Sequence, residues 1–409
     1  MIHVCFSIHD ATGNYAKFLG TAMLSLLENL NTPSRSATIH ILHDDTLTDD
    51  NRDKFSYLAG RYNQLVKFYN VAELFADRLE EIKSMLSKAV NHRRFNVAMF
   101  YRLLIPQLLS AEKKAIYLDS DIIVNLDIME LWKTKLNEYP LAVVPEIANG
   151  IIPSTKSALC SEGFINEENY FNSGVLLMNL EVLRAEEEKI NAAIKFRGEH
   201  PKWSLFDQEV LNYCFEARTI GLPLKFNNMI KDRRIQGDFS IGEEIYHYAG
   251  GKAGLGIDMS DPFNRLWWSY FIKTPWFGID TVTDMLNAVE ELDIARENSI
   301  WKISSDTAGK IRAFVVDEEN VERLEKHFAV RDEEEVFIID AELEDGLTEL
   351  IDLMDAVGDT KIFFIGIPNV AATLKRSGFV EGKDFIDVSD FYSPAWKIPV
   401  NSYNVVMTM

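Results

Sequence analysis

Apolar positions along this chain follow two alternating rhythms. His3 to Ile8 and Ala37 to Leu42 are near-continuous apolar runs that read as strands, and between them Tyr15 to Leu30 repeats its apolar residues at helical spacing. Val66 to Val71 adds a strand, Leu74 to Val90 a helix, and Phe95 to Leu109 a helix carrying Arg102. The apolar run Ile116 to Val124 follows, with Leu141 to Val144 and Gly174 to Asn179 as further short strands. Strands alternating with helices predict a mostly parallel sheet. After Ile279 the rhythm restarts. Asp284 to Asn298, Glu318 to Phe328 and Leu347 to Val357 read as helices, alternating with strands at Ile311 to Val316, Val336 to Ile339 and Lys361 to Ile365.

The strand-like run Ile116 to Val124 contains two carboxylates, Asp119 and Asp121, flanking Ser120. Burying two like charges is costly unless a cation neutralises them. Hard oxygen ligands of this kind suit Mg²⁺ or Mn²⁺, which keep coordination positions open for a substrate's phosphates. The same tripeptide can also simply end a strand, but acids at a strand's carboxyl end in an open α/β sheet lie where ligands bind.

Charge divides the chain. Of 409 residues, 281–409 hold 12 Lys and Arg against 27 Asp and Glu, net −15, which leaves −6 of the total −21 for 1–280. We therefore expect a catalytic domain over 1–280 and an acidic α/β accessory domain of unassigned role over 281–409. The net charge argues against nucleic acid as a partner. No apolar run approaches the ~20 residues of a membrane span, and no secretory leader pattern opens the chain. Cys5, Cys160 and Cys214 cannot all pair with one another and have no metal-ligand spacing, which fits a reducing cytoplasm. The turn Gly366 to Ala372 lacks the glycine spacing of a dinucleotide site.

Three further clusters carry polar groups at strand or helix ends. Phe171-Asn172-Ser173-Gly174-Val175 precedes a strand, and Asp207-Gln208 opens a helix, where Asp207 could equally be a cap. His247-Tyr248-Ala249-Gly250 is followed by Gly251-Lys252. With Leu118-Asp119-Ser120-Asp121, these clusters in this order resemble glycosyltransferase family 8, the retaining transferases of the GT-A fold that include bacterial galactosyl- and glucosyltransferases and the glycogenins. The resemblance covers most of 1–280. It implies a GT-A nucleotide-diphospho-sugar transferase fold, a Rossmann-like mixed sheet flanked by helices, with a smaller Rossmann-like α/β domain following.

The resemblance further implies that Asp119, Asp121 and His247 bind Mn²⁺, with Mg²⁺ as an alternative, on the diphosphate of UDP-glucose or UDP-galactose. Asp10, Asn14 and Tyr15 correspond to the family's uridine contacts, although Ala11-Thr12-Gly13 intervene. Arg102, Asn172, Gly250 and Lys252 fall at donor-binding positions, and Glu146 stands where the family more often has aspartate. The lysine departs from the family's Lys-Pro-Trp, being followed by Ala253-Gly254. Gln208 would face the anomeric carbon and Asp207 the sugar hydroxyls. The expected enzyme is a cytoplasmic, metal-dependent hexosyltransferase acting on a glycan, glycolipid or glycoprotein in bacterial surface-glycan assembly, including lipopolysaccharide. Alternatives are a glycogenin-like self-glycosylating protein and a noncatalytic nucleotide-sugar-binding scaffold. The aromatic stretch Leu266 to Phe277 reads as packing between the two domains, with an acceptor platform or a peripheral membrane contact as the other options.

Overall fold

The structure is a computed structural model. It describes residues 1–389 apart from 14, 32–35, 87–95, 201–205, 250–258, 260, 308, 322, 323, 325–327, 329, 332, 340–343, 368 and 369. Asn14, Gly250 and Lys252 therefore lie outside the described residues. The chain divides into two compact units, Met1–Gly278 and Ile279–Met409.

In the first unit, β1 (Ile2–Ser7), β2 (Ala37–His43) and β3 (Leu65–Asn70) run parallel, joined by helices α1 (Ala16–Asn29) and α2 (Asp49–Arg61). β4 (Lys114–Leu118) pairs parallel with β1 on its other side. β5 (Ile122–Val124) leaves for a second sheet. β6 (Leu141–Val143), β7 (Val175–Asn179) and β8 (Thr219–Gly221) complete a seven-stranded sheet of order β3-β2-β1-β4-β7-β6-β8. The sheet is mostly parallel, as expected, and mixed only through β7, which lies antiparallel to both β4 and β6. β9 (Asn228–Met229) and β10 (Ile245–His247) join β5 in a small sheet of order β5-β10-β9.

The continuous apolar runs have a simple cause: the central strands are covered on both faces. Val4 and Phe6 of β1 enter one core with α1, whereas Cys5 enters the other beneath Phe100 and Tyr117, following the two-residue period of a strand. Two expectations are corrected. Ile116 to Val124 is two strands in two sheets, because Asp119-Ser120-Asp121 forms a turn whose carboxylates escape the apolar layers. The segment carrying Arg102 is a 3-10 helix, Val97–Leu104, that passes into a short α-helix, Ile105–Leu108. The aromatic stretch packs inside the first unit: Trp267 lies 5.8 Å from the Phe18 ring, and Trp276 lies 4.8 Å from Phe55 and donates its Nε1–H to Asn51 Oδ1 at 2.7 Å.

The second unit is a four-stranded all-parallel sheet, β12-β11-β13-β14, made of β11 (Ile311–Val316), β12 (Glu335–Ile338), β13 (Lys361–Ile365) and β14 (Phe385–Asp387). Alternate residues of β11 feed two cores, Ala313 and Val315 one, Phe314 and Val316 the other.

Candidate active site

Two strand ladders bring the clusters together. β4 ends against β7 with Leu118 opposite Val175, and one more bond, Asp119 N–H to Gly174 O at 2.8 Å, seats Asp119 beside Gly174. On the other side of the turn, β10 pairs with β5 with His247 opposite Ile122, and Tyr248 N–H reaches Asp121 O at 2.9 Å. His247 Nε2 thereby stands 3.3 Å from Asp121 Oδ1 and 3.8 Å from Asp119 Oδ2. One ligand atom from each of the three residues lies within 4.8 Å of the others. Two carboxylates and an imidazole form a hard-to-borderline donor set, and it fits a divalent ion of the Mg²⁺ or Mn²⁺ kind.

Gly174 makes room for this cluster. A Cβ there would lie 2.8 Å from Asp119 Oδ2 and 3.0 Å from Asn172 Oδ1, and closer still to His247 Cε1.

Arg102 is the buried counter-ion. Its guanidinium donates to Asp119 Oδ1 at 2.9 Å, pairs through Nε with Asp207 Oδ2 at 3.0 Å, and donates to Ser173 O and Oγ at 2.7 and 2.9 Å. It also stacks over the Tyr117 ring at 4.3 Å, and the Tyr117 hydroxyl donates to Asp119 Oδ1 at 2.8 Å. Burial pushes the Asp207 carboxyl up, against the pull of Arg102. Burial works the same way on Asp121, but His247 outweighs it and holds that carboxyl below the usual range. Burial would lower the His247 imidazole, yet Asp121 and then Asp119 raise it. A site holding this much negative charge is electrostatically prepared for a cation.

Gln208 is bonded on all sides. Its Oε1 accepts Asn172 Nδ2–H at 3.0 Å and Ser173 N–H at 3.1 Å, while Nε2 donates to Glu146 Oε1 at 3.1 Å and Tyr170 OH at 2.9 Å. Burial raises the Glu146 carboxyl. Behind the helix Phe206–Cys214 an ion pair, Arg197 Nε to Glu209 Oε2 at 3.0 Å, is almost wholly shielded from water.

At the end of β1, Asp10 is buried and its carboxylate accepts from Tyr15 N at 2.6 Å, Ala16 N at 3.3 Å and Asn51 Nδ2 at 3.2 Å. It therefore ties down the start of α1. Tyr15, half-exposed, accepts the Ser120 hydroxyl at 2.8 Å and so sits against the acidic turn.

Asp119, Asp121, His247, Arg102, Asn172, Asp207 and Gln208 are thus one connected cluster, with Tyr15 at its edge. Sequence reasoning missed Asn227, which is fully buried and accepts His247 Nδ1 at 2.9 Å. The available signal was an amide pair, Asn227-Asn228, between apolar Phe226 and Met229, since buried amides need partners.

The profile of the glycosyl transferase family 8 matches residues 8–252. The chain belongs to that family. Family 8 membership makes it a glycosyltransferase; enzymes of the GT-A fold use nucleotide-sugar donors and a divalent metal, and Asp119, Asp121 and His247 form a possible metal site here. It is 26% identical over 285 residues to General stress protein A of Bacillus subtilis (strain 168), covering 65% of this chain and 92% of that one. It is 22% identical over 317 residues to the lipopolysaccharide 1,2-glucosyltransferase of Escherichia coli (strain K12), covering 75% and 82%. Its fold is similar to that of galactosyltransferase LgtC, solved with donor and acceptor sugar analogs, with a TM-score of 0.54 at 19% identity over 68% of this chain and 98% of that one. No helix among the described residues is long and apolar enough to cross a membrane.

Proposed function

We propose that this family 8 enzyme is a retaining hexosyltransferase that moves glucose or galactose from a UDP-sugar to a glycan, glycolipid or glycoprotein acceptor. The observation that carries the reading is the Asp119, Asp121 and His247 donor set, built on two ladders beside Gly174. Asp119, Asp121 and His247 would hold Mn²⁺, or Mg²⁺, and a bound ion supplies Lewis-acid stabilisation of a diphosphate leaving group. Tyr15 would lie along the nucleotide, with Asn14, Gly250 and Lys252 assigned to the donor on family position alone. Asp10 is assigned a shaping part, holding the start of α1 and with it Tyr15. Asp207, fixed by Arg102 and Ser173, would bind sugar hydroxyls.

Gln208 is an amide, so it cannot be the carboxylate nucleophile of a double displacement. A front-face substitution fits better. The acceptor oxygen bonds to the anomeric carbon as the bond from that carbon to the phosphate oxygen breaks, and the acceptor's proton passes to the departing phosphate. Gln208, locked by its four hydrogen bonds, keeps a fixed dipole against the developing positive charge. We assign the enzyme to bacterial surface-glycan assembly at the cytoplasmic side of the membrane, on the likeness to the Escherichia coli lipopolysaccharide glucosyltransferase. Residues 1–278 would carry the catalysis, and the acidic unit after them an accessory role.

UDP release from UDP-glucose and from UDP-galactose, with Mn²⁺ and with EDTA, tests this for the wild type and Asp121→Ala. Metal-dependent release that the substitution abolishes is expected, and the faster donor names the sugar. Absence of any Mn²⁺-dependent UDP binding by calorimetry would sink the reading.

A further inference from the structure

A chain of side-chain amides runs through the site from His247 to Glu146. His247 Nδ1 meets Asn227 Oδ1 at 2.9 Å, Asn227 Nδ2 meets Asn172 Oδ1 at 3.0 Å, Asn172 Nδ2 meets Gln208 Oε1 at 3.0 Å, and Gln208 Nε2 meets Glu146 Oε1 at 3.1 Å. Such a chain could in principle point either way, because each amide presents both a donor and an acceptor. Two backbone groups remove that freedom. Ser173 N–H donates at 3.1 Å to the Gln208 atom facing it, and Gly174 N–H donates at 2.9 Å to the Asn172 atom facing it. A backbone N–H can only donate, so both of those atoms are oxygens.

The rest follows by elimination. Asn172 Oδ1 can only accept, so Asn227 must present its NH₂ to it and its oxygen to His247. An oxygen facing Nδ1 at 2.9 Å requires Nδ1 to carry the hydrogen. The lone pair of the neutral ring is then on Nε2, the nitrogen 3.3 Å from Asp121 Oδ1.

We propose that Asn227 is a positioning residue that holds His247 in the Nδ1-protonated form, with Nε2 bare toward Asp119 and Asp121, and that the backbone amides of Ser173 and Gly174 set this polarity through Asn172. The proposal rests on the metal reading of that cluster. It gives a reason for a wholly buried asparagine outside the clusters of the sequence pattern: an outer-shell partner that fixes a ligating imidazole commonly changes metal affinity by about 10- to 100-fold.

Two measurements on the full chain test it. Calorimetric titration of the protein with Mn²⁺ should give affinity about 10- to 100-fold weaker in Asn227→Leu, while Asn227→Asp, which keeps an oxygen for Nδ1–H, stays within a few-fold of the wild type. Thermal melting is recorded alongside. Equal loss in both variants at matched Tm, or no loss in Asn227→Leu, overturns the proposal. Independently, ¹⁵N-histidine spectra of the metal-free wild type at alkaline pH, with His247→Gln used for assignment, should place the ring proton on Nδ1. A proton on Nε2 overturns the proposal even if Asn227→Leu fails to fold. A wild type that binds no Mn²⁺ sinks the metal reading, and the ¹⁵N spectrum then still decides the relay.

Discussion

Gly174→Ala is the sharpest perturbation available at this site, because it adds one carbon and removes nothing. The backbone φ at Gly174 is not among the positive values, so alanine adopts the same conformation and the effect is purely steric. The new Cβ would stand 2.8 Å from Asp119 Oδ2 and 3.0 Å from Asn172 Oδ1, and nearer to His247 Cε1, where ordinary contact begins at 3.4 Å. Relief therefore requires a shift of about 1 Å in two metal-site residues, a misplacement that costs about 100-fold in rate, or ~2.7 kcal/mol in transition-state free energy. Overpacking of this kind also lowers stability by about 1–3 kcal/mol, which leaves the fold intact. The assay is metal-dependent UDP release, with Mn²⁺ calorimetry on the same sample. Gly60→Ala in α2 is the control, since nothing lies within 4 Å of its added carbon, and it should leave turnover unchanged. Wild-type turnover and metal affinity in Gly174→Ala would refute the geometry assigned to Asp119 and His247.

Other expected outcomes follow from the buried charges and the core. Arg102→Leu leaves Asp119 and Asp207 without their shared cation, and urea unfolding should show a loss of about 3 kcal/mol; an unchanged midpoint would contradict the pairing. In the second unit Glu334 is paired with Arg312 at 2.5 Å and Arg331 at 2.6 Å, so Glu334→Gln should cost about 3 kcal/mol, read as a lower Tm. Burial works to raise the Glu334 carboxyl, but the two arginines override it and bring it to about 2. Its folded value is depressed, so its stabilisation is complete above the ordinary glutamate range and is lost as pH falls toward about 2; a melt series over acid pH in wild type and Glu334→Gln should converge. Trp276→Ala, which empties a ring packed on Gly20 and Phe55, should destabilise the first unit by about 3–5 kcal/mol, with a thermal shift as the check.

Much of this was legible in the residues because the physics was local. β11 and β13 match their apolar runs at both ends, since two-sided burial keeps such strands apolar, and the one buried charge inside β11, Arg312, is neutralised by Glu334. Asp119 and Asp121 were legible because carboxylates are out of place between apolar neighbours. The break of that run into two sheets was not, because apolar residues on either side of a turn look alike until their partners, β1 and β7 for one and β10 for the other, are known. The antiparallel course of β7 escaped for the same reason. Asn227 was hidden because its meaning lies in His247 and Asn172, 20 and 55 residues away. The bonds that the Asp10 carboxylate accepts from the backbone of Tyr15 and Ala16 were not legible either, because they depend on where residues five and six positions further on are placed.

The Asp119-Ser120-Asp121 turn is also a seam. Asp119 hangs from the large sheet, Asp121 and His247 from the small one. Any ion gripped by all three would be a rivet across that seam, and by linkage it would hold the seam closed more firmly the tighter it binds. Amides of β5, β9 and β10 should therefore exchange with solvent more slowly as Mn²⁺ is added, while those of β2 and β3 should be indifferent. Ion loading and the stiffness of the small sheet would then be one variable, and a substitution that loosens β10 anywhere along its length would be felt as weaker ion binding.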